Sequence, residues 1–182
     1  SELINAECSQ GKTFVFGEGE TSQPVLMLIG EAPGAQEVLV RKPFVGKAGK
    51  NLDLFLDTIN QSRENIYITN AVKFRPTKLS IKGTQSNRTP SQLEQDIFKP
   101  WLLEEIRCIE PRLIVTLGNV PLRVLLGKDM KIGACHGEVI RVKEERLFFP
   151  LYHPAAIIYN RSLTETYVQD LNNLKHFLST LG

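Results

Sequence analysis

Four short apolar runs restrict what this chain can fold into: VLMLIG at 25–30, IYITN at 66–70, LIVTLG at 113–118 and LFFPLYHP at 147–154. Each has strand length and is close to continuously apolar, and helical patterns lie between them, as expected of parallel strands covered on both faces. The first helix is expected from Gly49 to Asn60, where Leu52, Phe55, Leu56 and Ile59 form one stripe. A second begins near Pro90 with Thr89 as its N-cap and runs towards Ile109, and Pro100 is expected to start a new segment or kink it. The last, Thr164 to Leu181, repeats Tyr167, Leu171, Leu174, Leu178 and Leu181 at steps of four and three. This order argues for an α/β fold, a three-layer α/β/α sandwich around a mostly parallel four-stranded central sheet. A chain of 182 residues, 42% of them hydrophobic, can bury one substantial core, so residues 1–182 are read as a single domain. The alternating segment GEVIRVKEERLFFP is expected to form a small hairpin, and 74–89 a long polar loop.

Composition excludes some functions and leaves others open. The formal charge is only +2, so no basic excess announces a nucleic-acid partner, although a balanced total is compatible with a local basic surface. Cys8, Cys108 and Cys135 are far apart, odd in number and without a C-x-x-C spacing, which suits a reducing compartment better than a disulfide framework. No apolar run approaches the roughly 20 residues of a membrane helix, and SELINAECSQGKTF lacks the apolar core of a signal peptide. A cytoplasmic protein without a membrane partner is expected.

In open α/β sheets, ligands bind beyond the carboxyl ends of the strands. Those ends carry Gly30-Glu31-Ala32-Pro33-Gly34, Asn70 and His153-Pro154-Ala155-Ala156, which bring a carboxylate, an amide and an imidazole to one edge. The segments GEAPGAQE and KPFVGKAG combine glycines for close backbone approach with a helix start at Gly46 to Gly49 whose N–H groups suit a phosphate. Their spacing matches neither a dinucleotide fingerprint nor a P-loop. Taken singly, Asn70 reads as a turn former, Phe44 as core, His153 as a structural histidine, and Glu31 and Glu37 as solvated charges. The joint placement carries the functional reading. His136 and His176 are read as structural or surface residues.

Six segments in order, Gly30 to Gly34, Pro43 to Gly46 with Ala48-Gly49, Tyr67 to Asn70, Asn87 to Pro90, Lys99 to Leu102 and His153 to Ala155, resemble the signatures of family 4 uracil-DNA glycosylases. The resemblance runs from about Phe16 to the C-terminus. It implies a monofunctional glycosylase that hydrolyses the N-glycosidic bond of uracil flipped out of DNA, the step that starts base excision repair. By the same resemblance, Phe44 stacks on the uracil ring beside Gly30, Asn70 reads N3–H and O4, and His153 donates to O2 as charge develops there. Glu31, Glu37 and Asn87 are the candidates for orienting the attacking water, with Glu31 favoured. Pro33, Gly34, Lys47, Arg88, Ile157 and Arg161 are the expected DNA contacts, with Lys73 and Arg75 as further phosphate ligands and Ile158 as a second wedge beside Ile157.

The chain departs from that pattern in its cysteines. The family supplies four thiolates for a [4Fe–4S] cluster, whereas this sequence has Phe74 in Lys73-Phe74-Arg75-Pro76 and Phe98 before Pro100-Trp101-Leu102. No cofactor or metal is therefore expected, and direct packing of Phe74 on Phe98 is expected in its place. A monomer acting on uracil-containing DNA is the leading reading. The alternatives are a non-catalytic DNA- or nucleotide-binding relative of the same fold and a small-molecule α/β hydrolase.

Overall fold

The computed structural model describes residues 11–142 and 146–181. In chain order its elements are β1 (Glu18–Gly19), β2 (Leu26–Gly30), α1 (Ala35–Val40), α2 (Lys47–Thr58), β3 (Tyr67–Asn70), β4 (Thr77–Leu79) and β5 (Gln85–Asn87). There follow α3 (Gln92–Ile109), β6 (Leu113–Leu117), α4 (Asn119–Leu126), β7 (Ile140–Arg141), β8 (Leu147–Leu151), α5 (Ala156–Tyr159) and α6 (Thr164–Thr180). The main sheet has the order β1-β3-β2-β6-β8-β7. Its four inner strands are parallel, and two-residue antiparallel strands close both edges, so the expected four strands form the centre of a six-stranded sheet.

Alternation along the strands divides the core into two layers. Leu26, Leu28, Ile68, Val115 and Phe149 pack with Leu52, Phe55 and Leu56 of α2 and Leu171, Leu174 and Leu178 of α6. Their neighbours Met27, Ile29, Ile114 and Phe148 face the other way, against Leu102 and Ile106 of α3 and Val120 and Val124 of α4. Every residue of β2, β3 and β6 is buried, which is why those strands read as nearly continuous apolar runs, with Thr69, Asn70 and Thr116 as their buried polar members.

Three local expectations change. Ser91, not Thr89, caps α3: its hydroxyl accepts from the Glu94 N–H at 3.2 Å while the Glu94 carboxylate accepts from the Ser91 N–H at 2.7 Å. This reciprocal capping box satisfies two end groups, where Thr89 satisfies none. The helix then runs without interruption through Pro100, whose exposed position lets water reach the carbonyl of exposed Asp96 that lacks its usual donor.

Segment 74–89 is no irregular loop. It contains an antiparallel hairpin, Thr77 opposite Asn87 and Leu79 opposite Gln85, closed by Gly83 at φ 76°. Its strands are exposed or nearly so and carry no apolar alternation to betray them. The six residues of α1 are likewise silent in the sequence, since none is buried. The hairpin expected near 140 is present as β7–β8, with Ile140 opposite Phe148; the tip at 143–145 lies outside the described residues.

Candidate active site

The parallel register carries Gly30 and Asn70 to the same level at the carboxyl end of β2 and β3, and β8 delivers His153 two residues after its last strand position. Phe44, Asn70 and His153 meet around a cavity of about 300 Å³, with Glu37, Asn87 and Ile158 also on its walls. Two glycines are fixed by this convergence. A Cβ at Gly30 would strike both the Phe44 ring and the Asn70 amide oxygen, and one at Gly49 would overlap the Phe44 carbonyl.

Phe44 itself is buried in a left-handed conformation, φ 52°, unusual for a residue with a Cβ. Arg63 holds it there. One guanidinium nitrogen donates to the Phe44 carbonyl at 2.6 Å and to that of Gly49 at 3.3 Å, while Nε pairs with Asp53 at 2.7 Å. The ring lies against His153, centroids 5.8 Å apart at 27°.

His153 is a neutral donor by construction. The Ala155 N–H donates to Nδ1 at 3.1 Å, which leaves the proton on Nε2. Burial lowers its pKa from 6.5 to about 4, against a smaller opposing pull from the Glu37 charge. The turn that carries it is tied to α2, where the Asn51 amide donates to the Pro154 carbonyl at 3.0 Å.

The two glutamates differ in employment. Glu37 accepts from the N–H groups of Gly34 (3.1 Å), Val45 (3.0 Å) and Gly46 (2.7 Å), and so locks the two glycine-bearing loops together. The expectation of free N–H groups at Gly46 therefore fails at that residue. Glu31 lies on an adjoining cavity of about 380 Å³ that shares Asn87 and His153 with the first. Burial raises its pKa, and a hydrogen bond with Thr89 offsets part of the rise. Asn87 accepts from Arg75 Nε at 2.7 Å through Oδ1, and its amide nitrogen points towards the Gly34 backbone.

The expected DNA contacts divide in the same manner. Lys47 is exposed on the cavity wall. Gly34 lines the cavity, but its N–H is taken by Glu37, and Pro33 is buried beside Glu31. Arg88 is engaged with protein: it grips Glu94 through two nitrogens at 2.7 and 2.6 Å and donates to the Thr77 and Thr89 carbonyls at 3.1 Å, stitching the β4–β5 hairpin to α3. Lys73 is buried against Glu105 and offers nothing to a phosphate. Ile157 packs on the core rather than outward, whereas Ile158 and the exposed Tyr159 stand at the cavity mouth. Arg161 is exposed on the turn that follows, away from the cavity lining. Arg63 and Tyr159 escaped the sequence reading, for nothing in their local sequence marks an arginine that braces a loop or a tyrosine at a rim. His136 is structural as expected, its Nδ1 2.8 Å from the buried Asp170.

Behind the cavity, Phe74 and Phe98 are in contact, centroids 5.7 Å apart at 52°, and with Val72 make a small buried cluster on which Phe14 packs.

The family model of the uracil DNA glycosylase superfamily matches residues 16–177. The chain belongs to this superfamily. It is 38% identical over 177 residues to a type-4 uracil-DNA glycosylase of Saccharolobus solfataricus, covering 93% of this chain and 78% of that protein. It is also 36% identical to the type-4 enzyme of Pyrobaculum aerophilum over 88% of this chain and 81% of that protein. The type-4 enzyme of Thermotoga maritima is 34% identical over 92% and 84%. These relatives make it a family 4-like glycosylase. Among solved structures, SMUG2 of Pedobacter heparinus shares the fold, with a TM-score of 0.59 at 16% identity over 87% of this chain and 76% of that one.

Proposed function

We propose that this chain is a monofunctional uracil-DNA glycosylase that cleaves the bond between N1 of a flipped-out uracil and C1′ of its deoxyribose. The observation that carries the reading is the ring of Phe44, Asn70 and a neutral, Nε2-protonated His153 around one cavity. Asn70 accepts from N3–H and donates to O4, a pairing that cytosine reverses. As the bond breaks, its electron pair moves onto the base, and His153 Nε2–H stabilises the charge on O2 without transferring its proton. Glu31 is the residue placed to orient a water towards C1′ and to accept a proton as the new bond forms, because among the described residues no backbone N–H donates to its carboxylate, whereas Glu37 accepts from three. Glu37 shapes the loops. Lys47, Ile158 and Tyr159 border the opening through which a nucleotide enters and are the proposed DNA contacts.

The family 4 pattern implies a [4Fe–4S] cluster, and the residues here do not fit one. The chain has three cysteines, of which Cys108 is exposed on α3 and Cys8 lies outside the described residues, and phenylalanine fills the two internal positions. We propose that the Phe74–Phe98 contact ties the segment after Asn70 to α3 in place of a cluster, in a single-domain, cytoplasmic monomer.

The test uses uracil-containing single- and double-stranded oligonucleotides, with alkali-labile abasic sites as readout. Wild type is expected to generate them, and Asn70→Ala and His153→Ala to be severely impaired. No cleavage by wild type rejects the activity, and full activity in both variants rejects the site.

A further inference from the structure

Lys73 is three residues beyond Asn70, and its side chain turns back into the protein. It is 4% exposed, and its ammonium donates to the Thr69 hydroxyl at 2.6 Å, the Asn70 carbonyl at 2.8 Å and the Glu105 carboxylate at 2.5 Å, which uses all three protons. Glu105, reaching down from α3, also accepts from Tyr67 at 3.0 Å and Thr69 at 3.1 Å. The result is a closed polar network between the last turn of a strand and a helix on the far side of the sheet from α2.

Stability does not account for such an arrangement. Burying an ammonium and a carboxylate costs several kcal/mol per ion before their attraction is counted, and an apolar pair of similar volume is often as stable. Its position is more informative. Asn70 is where β3 leaves the sheet, so the regular ladder no longer holds its carbonyl; the following N–H groups of Ala71 and Val72 go to the carbonyls of Gly30 and Glu31. Lys73 supplies the donor that the Asn70 carbonyl lacks. A residue that reads two atoms of a base by hydrogen bonds tolerates displacements of only about 0.5 Å.

We infer that Lys73, neutralised by Glu105, is the positioning residue for base recognition: it fixes the main chain of Asn70 so that its amide meets the uracil edge. This rests on the proposed role of Asn70. The Phe74–Phe98 contact, one residue further on, anchors the same segment from outside, and the ammonium sets its register from within.

The experiment compares wild type with the double variant Lys73→Met/Glu105→Gln, which leaves no unpaired buried charge and keeps an acceptor for Tyr67 and Thr69. Two affinities are measured: free uracil, by inhibition, and a duplex carrying a stable abasic-site analogue, by direct binding. Uracil affinity is expected to fall about tenfold, as for the loss of one well-made hydrogen bond, with duplex affinity unchanged. Equal uracil affinity in a folded double variant, or a parallel loss of both affinities, overturns the inference. Should the double variant fail to fold, Lys73→Met alone decides, since the Glu105 side chain is 16% exposed and reaches water: the same roughly tenfold loss in uracil affinity is expected, and none overturns the inference. Failure of wild type to bind uracil at all instead rejects the functional reading on which the inference stands.

Discussion

The segment that leaves β3 has two sides, and they are built on opposite principles. On one, Asn70 faces a cavity whose other walls, Phe44 and His153, are each held by directed hydrogen bonds to their own backbone or ring. On the other, the side chains of Val72, Phe74 and Phe98 form a buried apolar cluster, each at most 4% exposed, with the Lys12 ammonium 4.2 Å from the centre of the Phe74 ring. The first side gives position at the expense of packing, and the second gives packing without directional demand. Loss of a side chain should therefore cost function on one side and stability on the other.

The largest effects expected test that division. Phe74→Ala should lower unfolding free energy by about 3–5 kcal/mol, the usual penalty for emptying a phenylalanine site in a core. Denaturant titration measures it. Asn70→Ala should lower the single-turnover excision rate at least about a hundredfold, the scale of removing one transition-state hydrogen bond, while its unfolding midpoint moves little. If folded Phe74→Ala loses as much rate as Asn70→Ala, the two sides are not separable and the cluster takes part in base recognition.

Much of this is legible in the sequence because the constraint is local. Gly30, Asn70 and His153 stand at strand ends, where the α/β rule gathers ligands, and the strands announce themselves by burial on both faces. Phe74 and Phe98 are expected to pair only through the resemblance to family 4, which implies a cysteine at each position. What escapes is coupling across the fold. Arg63 is 19 residues from the carbonyl it holds, and Glu105 is 32 residues from Lys73. A lysine beside a binding motif reads as a phosphate ligand until its burial is seen. The β4–β5 hairpin is invisible because pairing without a buried face leaves no alternation, and Ser91 displaces Thr89 as cap only through its partner Glu94.

Protonation sharpens the contrast within the cavity itself. Since an unfolded histidine titrates near 6.5 and His153 near 4, the unfolded state binds the extra proton between those values, so stability is lost as pH falls through that window and is complete above it. Catalysis should show no histidine limb between about pH 6 and 8, where His153 is already the neutral donor. The acid limb should belong to Glu31, displaced upward from the usual carboxylate range by burial. A pH profile of single-turnover rates checks this. Glu31→Gln should lower the plateau and abolish the limb, and a limb that survives in Glu31→Gln but disappears in Glu37→Gln would transfer the water-orienting role to Glu37.

The smallest expected effect concerns the hairpin that hangs from this segment. Between Glu64 and Glu94 there is no carboxylate, yet Lys73, Arg75, Lys78, Lys82 and Arg88 all lie there. Lys73 and Arg88 are neutralised by Glu105 and Glu94, which leaves Arg75, hydrogen-bonded to Asn87, and Lys78 and Lys82 out along the hairpin beside the fully exposed Ile81. A polyanion passing the cavity would meet these cations after the base is already held elsewhere. Lys78→Ala/Lys82→Ala should therefore leave free-uracil affinity unchanged and reduce the slope of log affinity against log salt on duplex DNA by up to about two, one for each phosphate that is no longer neutralised. An unchanged slope would place the DNA path away from the hairpin, against the wall formed by Lys47, Ile158 and Tyr159.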